Sequence, residues 1–102
     1  MASHIVNDVR IGLLGLGTVG AGVVKLLDSQ RVLLEERAGC RLTLSGVADL
    51  DVTTWREGVD LGALPLTTDA QALLGDPSIQ IIIELIGGLE PARSFISRVK
   101  YW

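Results

Sequence analysis

Arg10-Ile-Gly-Leu-Leu-Gly-Leu-Gly-Thr-Val-Gly20 is the stretch whose reading decides the fold. Val9 to Leu14 is a short apolar run that closes in glycine, the pattern of a buried strand. After Gly17 the apolar period changes. Val19, Val23, Leu26, Leu27 and Leu34 recur at helical spacing, with Lys25, Asp28 and Glu35 elsewhere. Between strand and helix lies Gly15-Leu-Gly-Thr-Val-Gly20, a G-x-G-x-x-G pattern. In this pattern the first glycine allows a tight turn and the second lets the backbone approach a pyrophosphate. The third lets helix pack closely on strand. The helix start then offers unpaired N–H groups and a partial positive charge to the phosphates. No Lys-Ser/Thr follows the glycines, so the Walker pattern is absent.

Outward from this turn, the Ala38-Gly39 pair supplies a helix stop, and a break near Ser29 to Arg31 would leave either one long helix or two pieces. A second strand runs from about Leu42 to Ala48, with Asp49 just past its end. Thr54-Trp55-Arg56-Glu57 fits a capping box, which predicts a short helix starting there. Leu64 to Thr67 reads as a third strand. Thr68 or Asp69 then caps a brief helix over Ala70 to Leu74, stopped by Gly75. Ile79-Gln-Ile-Ile-Ile-Glu-Leu-Ile86 is the strongest strand, and a last helix starts at Glu90-Pro91 and runs toward Val99. This order of elements predicts an α/β fold: a doubly wound parallel sheet of Rossmann type, about four strands in the order 3-2-1-4, with helices on both faces. Strand order reverses between the first and fourth strands. The loops Gly15–Gly20 and Gly87–Gly88 both leave at that switch point, where ligands bind in such sheets.

Composition agrees. The 102 residues are the size of one domain; they are 48% hydrophobic but only 4% aromatic, so the core must be aliphatic, as in sheets buried on both faces. Residues 1–8, with the single His4, read as a disordered leader, and 9–102 as one dinucleotide-binding domain. A net charge of −3 with scattered basic residues argues against nucleic acid or an anionic membrane as partner. Cys40 is the only cysteine, so no internal disulfide is possible, and it reads as a small residue at a strand entrance. Five glycines between Arg10 and Val24 spoil a signal peptide's helical segment, which points to the cytoplasm.

Asp49 is a candidate acceptor for the ribose hydroxyls of the adenosine half, or else a solvated loop acid. It lies 29 positions after Gly20, beyond the usual spacing of about 20, and the long first helix accounts for the excess. Its charge repels a 2′-phosphate and Leu50 offers no compensating cation, which favours NAD over NADP, although Arg56 is placed to fold over the site. Glu84 could face a ligand, pair with a polar neighbour, or point outward. Trp55 and Trp102 receive no role, and no metal site is expected.

Four segments together resemble, in order and spacing, the start of homoserine dehydrogenases: Arg10 to Gly20, Gly46-Val-Ala-Asp49, Leu64-Pro-Leu-Thr-Thr-Asp69 and Glu84-Leu-Ile-Gly-Gly-Leu-Glu-Pro-Ala92. The last is far more specific than the glycine pattern. The resemblance implies an NAD(P)-dependent oxidoreductase that interconverts homoserine and aspartate semialdehyde, on the route to threonine, methionine and isoleucine. It also implies that Leu16, Thr18 and Val19 line the cofactor beside Gly15, Gly17 and Gly20. Ala48 and Asp49 would lie at the ribose, with Gly87 and Gly88 beneath the nicotinamide half. Family members usually carry a basic residue where this chain has Leu50, and they continue after Ala92 to a Thr-Ala-Asn-Lys motif, whereas this chain ends Arg98-Val-Lys-Tyr-Trp102. On that comparison the chain is a cofactor-binding part without catalytic residues and without turnover of its own. The fourth strand would then lack its outer neighbour, and the Ile81–Ile83 edge predicts a homo-oligomer. The alternatives are the cofactor domain of another Rossmann dehydrogenase or reductase, and a non-catalytic nucleotide-sensing module.

Overall fold

A computed structural model describes residues 7–86. It contains β1 (Asp8–Leu14), α1 (Thr18–Ser29), α2 (Arg31–Ala38), β2 (Arg41–Ala48), β3 (Leu66–Thr67), α3 (Ala70–Leu74) and β4 (Ile81–Glu84), with a 3-10 turn at Leu61–Ala63. The strands form one sheet in the order β3-β2-β1-β4, and every pairing is parallel. This is the expected arrangement, with the order reversing between β1 and β4. Gly87–Gly88 and the expected last helix lie outside the described residues.

Side chains alternate across the sheet as period-two strands require. Leu13, Val47 and Ile83 join α1's Ala21 and Val24 in one cluster, together with Val59 and Leu64 from the β2–β3 connection. Leu14, Ala48 and Ile82 pack on the other face against Leu73 of α3. Helices therefore cover both faces. Neighbouring residues such as Leu13 and Leu14 are both fully buried, which is why the strands read as unbroken apolar runs.

The helical face is not the one the apolar spacing predicts. Val19 is 63% exposed and Leu26 is 51% exposed, while Gly20, Ala21 and Val24 are buried. The cause is close approach. A Cβ on Gly20 would overlap the Gly15 carbonyl oxygen, so α1 sits on β1 through its smallest residues and the larger ones turn outward. The helical region is broken at Gln30, giving two pieces, and Gly39 in the left-handed conformation ends the second. Glu35 of α2 accepts the Leu42 N–H at 2.7 Å, and Arg31 donates to the Leu42 carbonyl. These two bonds fix where β2 begins.

The helix predicted at Thr54 does not form. Residues 50–60 are turns and bends with one antiparallel bridge between Arg56 and Val59. Asp51, rather than Thr54, organises the segment, accepting from the Thr53 and Thr54 amides. β1 begins one residue earlier than the apolar run indicates. β3 and β4 are shorter than their runs, because only Leu66–Thr67 and Ile81–Glu84 lie in register with a neighbour. β2 shifts register opposite Ile11/Gly12, placing a bulge at Ser45.

Candidate functional site

The site forms where β1, β2 and β3 end. The chain leaves β1 through Gly15, whose N–H donates to the Ala48 carbonyl at 2.7 Å, while Leu85 N–H donates to Leu14 at 2.7 Å. Gly15 has φ +105°, and a Cβ there would come within 2.8 Å of the Leu85 carbonyl carbon. Only glycine fits both the backbone conformation and the approach of the chain leaving β4. Gly17 is the opposite case: among the described residues, a Cβ there would meet no atom within 4 Å. Fold contacts explain Gly15 and Gly20 but not Gly17. The open space over Gly17 is where a ligand would meet bare backbone at the start of α1.

A cleft of about 440 Å³ opens beside this turn. Gly15, Gly17, Ala48, Asp49, Leu50, Leu85 and Ile86 contribute to its walls, with Thr68 to Gln71 opposite. A second cavity of about 480 Å³ lies on the flank of the sheet, between the second half of α1 and residues 58–65. It is remote from the carboxyl ends of the strands, and size alone does not make it the site.

Asp49 ties the glycine turn to the loop after β2. Its Oδ2 accepts the Leu16 N–H at 2.6 Å and its Oδ1 accepts the Asp51 N–H at 2.8 Å. A carboxylate has about four lone-pair positions, so it retains acceptor capacity toward the cleft. Arg56 does fold over the turn. Its Nε donates to the Leu16 carbonyl at 2.7 Å. Its Nη1 donates to Thr54 and its Nη2 to Asp51, each carbonyl at 2.7 Å. Nη2 also lies 3.9 Å from Asp49 Oδ1.

The structure brings Gly15, Gly17, Ala48 and Asp49 to one cleft. Leu16 has no exposed surface, and what it offers the turn is its backbone, already engaged by Asp49 and Arg56. Thr18 lines a shallow depression with Gly17 and Arg56. Val19 points outward and Gly20 lies buried beneath the turn. Gly87 and Gly88 lie outside the described residues. Glu84 Oε1 accepts the Ile86 N–H at 2.6 Å, which turns the chain out of β4. Asp69 caps α3 as expected, accepting from Gln71 N–H at 3.0 Å, yet with Thr68 it also borders the cleft. That second role follows from the strand order, which sets the end of β3 beside the end of β2.

The model of the NAD binding domain of homoserine dehydrogenase matches residues 15–99. The chain belongs to that family. It is 41% identical over 88 residues to a homoserine dehydrogenase of Bacillus subtilis and 46% identical over 88 residues to one of Synechocystis. Each alignment covers 86% of this chain and 20% of the relative. Among solved structures, a homoserine dehydrogenase from Thiobacillus denitrificans superposes with a TM-score of 0.81 at 38% identity, over 91% of this chain and 21% of that one. An S. aureus homoserine dehydrogenase gives a TM-score of 0.83 at 31% identity, over 92% of this chain and 23% of that one. The chain thus spans about a fifth of the length of the homoserine dehydrogenases it matches. Among the described residues, no helix is long and apolar enough to cross a membrane.

Proposed function

We propose that the chain binds a nicotinamide dinucleotide with its pyrophosphate over Gly17, and that it prefers NAD to NADP. The observation that carries this is the contrast among three glycines of one turn. Gly15 and Gly20 are demanded by neighbouring backbone, and Gly17 faces open space at the start of a helix. The family match supports the ligand class. In this reading Gly15 to Gly20 hold the pyrophosphate, Ala48 and Asp49 the adenosine ribose, and Gly87 and Gly88 the nicotinamide half. NAD is favoured because Asp49 stands at the ribose position and Leu50, 90% exposed, brings no positive charge. Arg56 is engaged with three backbone carbonyls and with Asp49, which leaves it poorly disposed to receive a 2′-phosphate.

Residues 9–102 act as the dinucleotide-binding unit of an oxidoreductase of the cytoplasm. In the complete enzyme the reaction is the interconversion of homoserine and aspartate semialdehyde. The chain alone has no turnover. It associates through β4, whose outer edge carries no paired strand among the described residues.

The experiment is titration calorimetry of the chain with NAD, NADP and S-adenosylmethionine, beside light scattering and a homoserine oxidation assay. Binding of NAD more tightly than NADP, with no binding of the methyl donor, is expected. Light scattering is expected to show a dimer or larger species, and the assay no turnover. Failure to bind either dinucleotide defeats the ligand assignment. A monodisperse monomer at tens of micromolar defeats the association, and robust turnover defeats the claim of inactivity.

A further inference from the structure

We propose that Arg56 is a positioning residue for the dinucleotide, fastening the loop after β2 to the glycine turn, and is not a ligand of a 2′-phosphate. The inference rests on the cofactor reading above and adds to it how the turn is held. Arg56 is 40 positions from Leu16, and its side chain is 15% exposed. Of the five guanidinium N–H donors, one reaches the Leu16 carbonyl inside the turn. Two others reach the carbonyls of Thr54 and Asp51 in the loop. Leu16 is thereby gripped on both its polar backbone atoms: Arg56 takes the carbonyl and Asp49 takes the N–H.

That grip has a consequence for the open residue beside it. Gly17 follows Leu16 directly, and among the described residues a Cβ on it would meet no atom within 4 Å. Its backbone is therefore aimed by what holds Leu16 before it and by the first turn of α1 after it, where Ala21 N–H donates to the Gly17 carbonyl at 2.8 Å. Asp49 is held in the same network, since its Oδ1 faces Arg56 Nη2 and accepts from Asp51, whose carbonyl Arg56 also takes. The fork shape is essential to this. A lysine at 56 would keep the charge but could not span three carbonyls in a plane.

The test compares Arg56→Gln and Arg56→Lys with the unaltered chain by calorimetry against NAD and NADP, and by hydrogen exchange at the Leu16 amide. A net charge-assisted hydrogen bond corresponds to about tenfold in affinity. Both variants are expected to lose about that much for NAD and for NADP alike, with faster exchange at Leu16. Selective loss of NADP, recovered by Arg56→Lys, would assign Arg56 to the phosphate and overturn the proposal. Unchanged affinities and exchange would overturn it as well. If the unaltered chain binds neither dinucleotide, it is the cofactor reading that fails. Leu16 exchange then decides the fastening alone: faster exchange in both variants upholds that Arg56 secures the turn, and unchanged exchange ends the inference altogether.

Discussion

Residues 14–21 and residues 49–60 meet at the same cleft but are shaped by different forces. At Gly15 and Gly20 the first segment takes its path from backbone touching backbone, and only Leu16 between them is held by side chains from outside. Gly15 lies against Leu85 and Ile86, Gly20 lies against Gly15, and no polar side chain of the segment takes part. The second has almost no regular hydrogen bonding of its own and is held by side chains reaching for backbone. Asp49 takes Asp51, Asp51 takes Thr53 and Thr54, and Arg56 takes three carbonyls. Close approach is intolerant of any added atom. A mesh of polar bonds can be loosened one member at a time, and by protons.

The sharpest way to expose that contrast is Gly20→Ala. The added methyl would overlap the Gly15 carbonyl, so α1 has to lift from β1 or the turn has to shift. Neither backbone can yield as a flexible side chain would. Overpacking of this kind is expected to cost about 3 kcal/mol, a large share of what a domain of this size has to lose. Thermal denaturation should show a fall of about 15 °C in the midpoint. A change of a degree or two would mean that the helix is not seated through this residue.

The second comparison lies within the glycine turn itself. Gly17→Ala places its methyl where no atom of the described residues lies within 4 Å, so stability should move by less than about 1 kcal/mol, the range of helix-capping preferences. On the proposed placement of the pyrophosphate over Gly17, dinucleotide affinity should fall by about 10- to 100-fold, because the methyl would hold the phosphates off the backbone N–H groups. Melting curves and calorimetry on the same sample separate the two effects. Should Gly17→Ala melt as low as Gly20→Ala, the residue is part of the fold and the open space does not belong to a ligand.

The same division explains what could be read from the sequence. The turn was legible because glycine spacing is a direct record of backbone approach. The strand order followed, since parallel strands with right-handed crossovers leave few choices. The cleft's main acid was legible too, because Asp49 directly follows a strand. The connection from Leu50 to Leu64 was not. Thr54 to Glu57 satisfies the local pattern of a helix start, but Asp51 captures the Thr54 amide and Arg56 is drawn 40 positions back to Leu16. Here a competing local bond, Asp51 to Thr54, and a long-range one, Arg56 to Leu16, together decide the path. The buried face of α1 was misread for a related reason. Apolar spacing marks where large residues cluster, whereas this helix packs through Gly20 and Ala21, which that measure weighs lightly. Arg56 itself carried only one signal, its place in the loop facing the turn, and nothing in its neighbours announced the three carbonyls it would bind.

The gentlest test of the comparison is acid. Hydrogen bonds from the side chain and backbone of Thr54, and then from the Thr53 amide, hold the Asp51 carboxyl well below the usual carboxylate range. A carboxylate whose folded-state pKa is depressed stabilises the fold fully above its unfolded value of about 3.9. That contribution begins to fade as pH drops below this value and is gone only once pH has fallen through the folded-state value. Protonation weakens the Asp51 side chain as an acceptor for both threonine amides, and the loop that carries Arg56 should slacken. In residues 14–21 the Gly15 amide is bound to a backbone carbonyl and Gly15 and Gly20 lie against backbone, contacts that do not change with pH. The carboxylate bond to this segment is made one residue after Gly15, by Asp49 to the Leu16 N–H. Hydrogen exchange followed from pH 5 down to pH 2 should therefore show the Thr53 and Thr54 amides losing protection before the Gly15 amide, which is bound to Ala48. Asp51→Ala should show the same early loss already at neutral pH, with dinucleotide affinity falling only a few-fold, because Asp49 and Arg56 still hold Leu16 directly. Simultaneous loss at Gly15 and Thr54 in the unaltered chain would show that the loop and the turn respond to acid as one unit, and the distinction between them would fail.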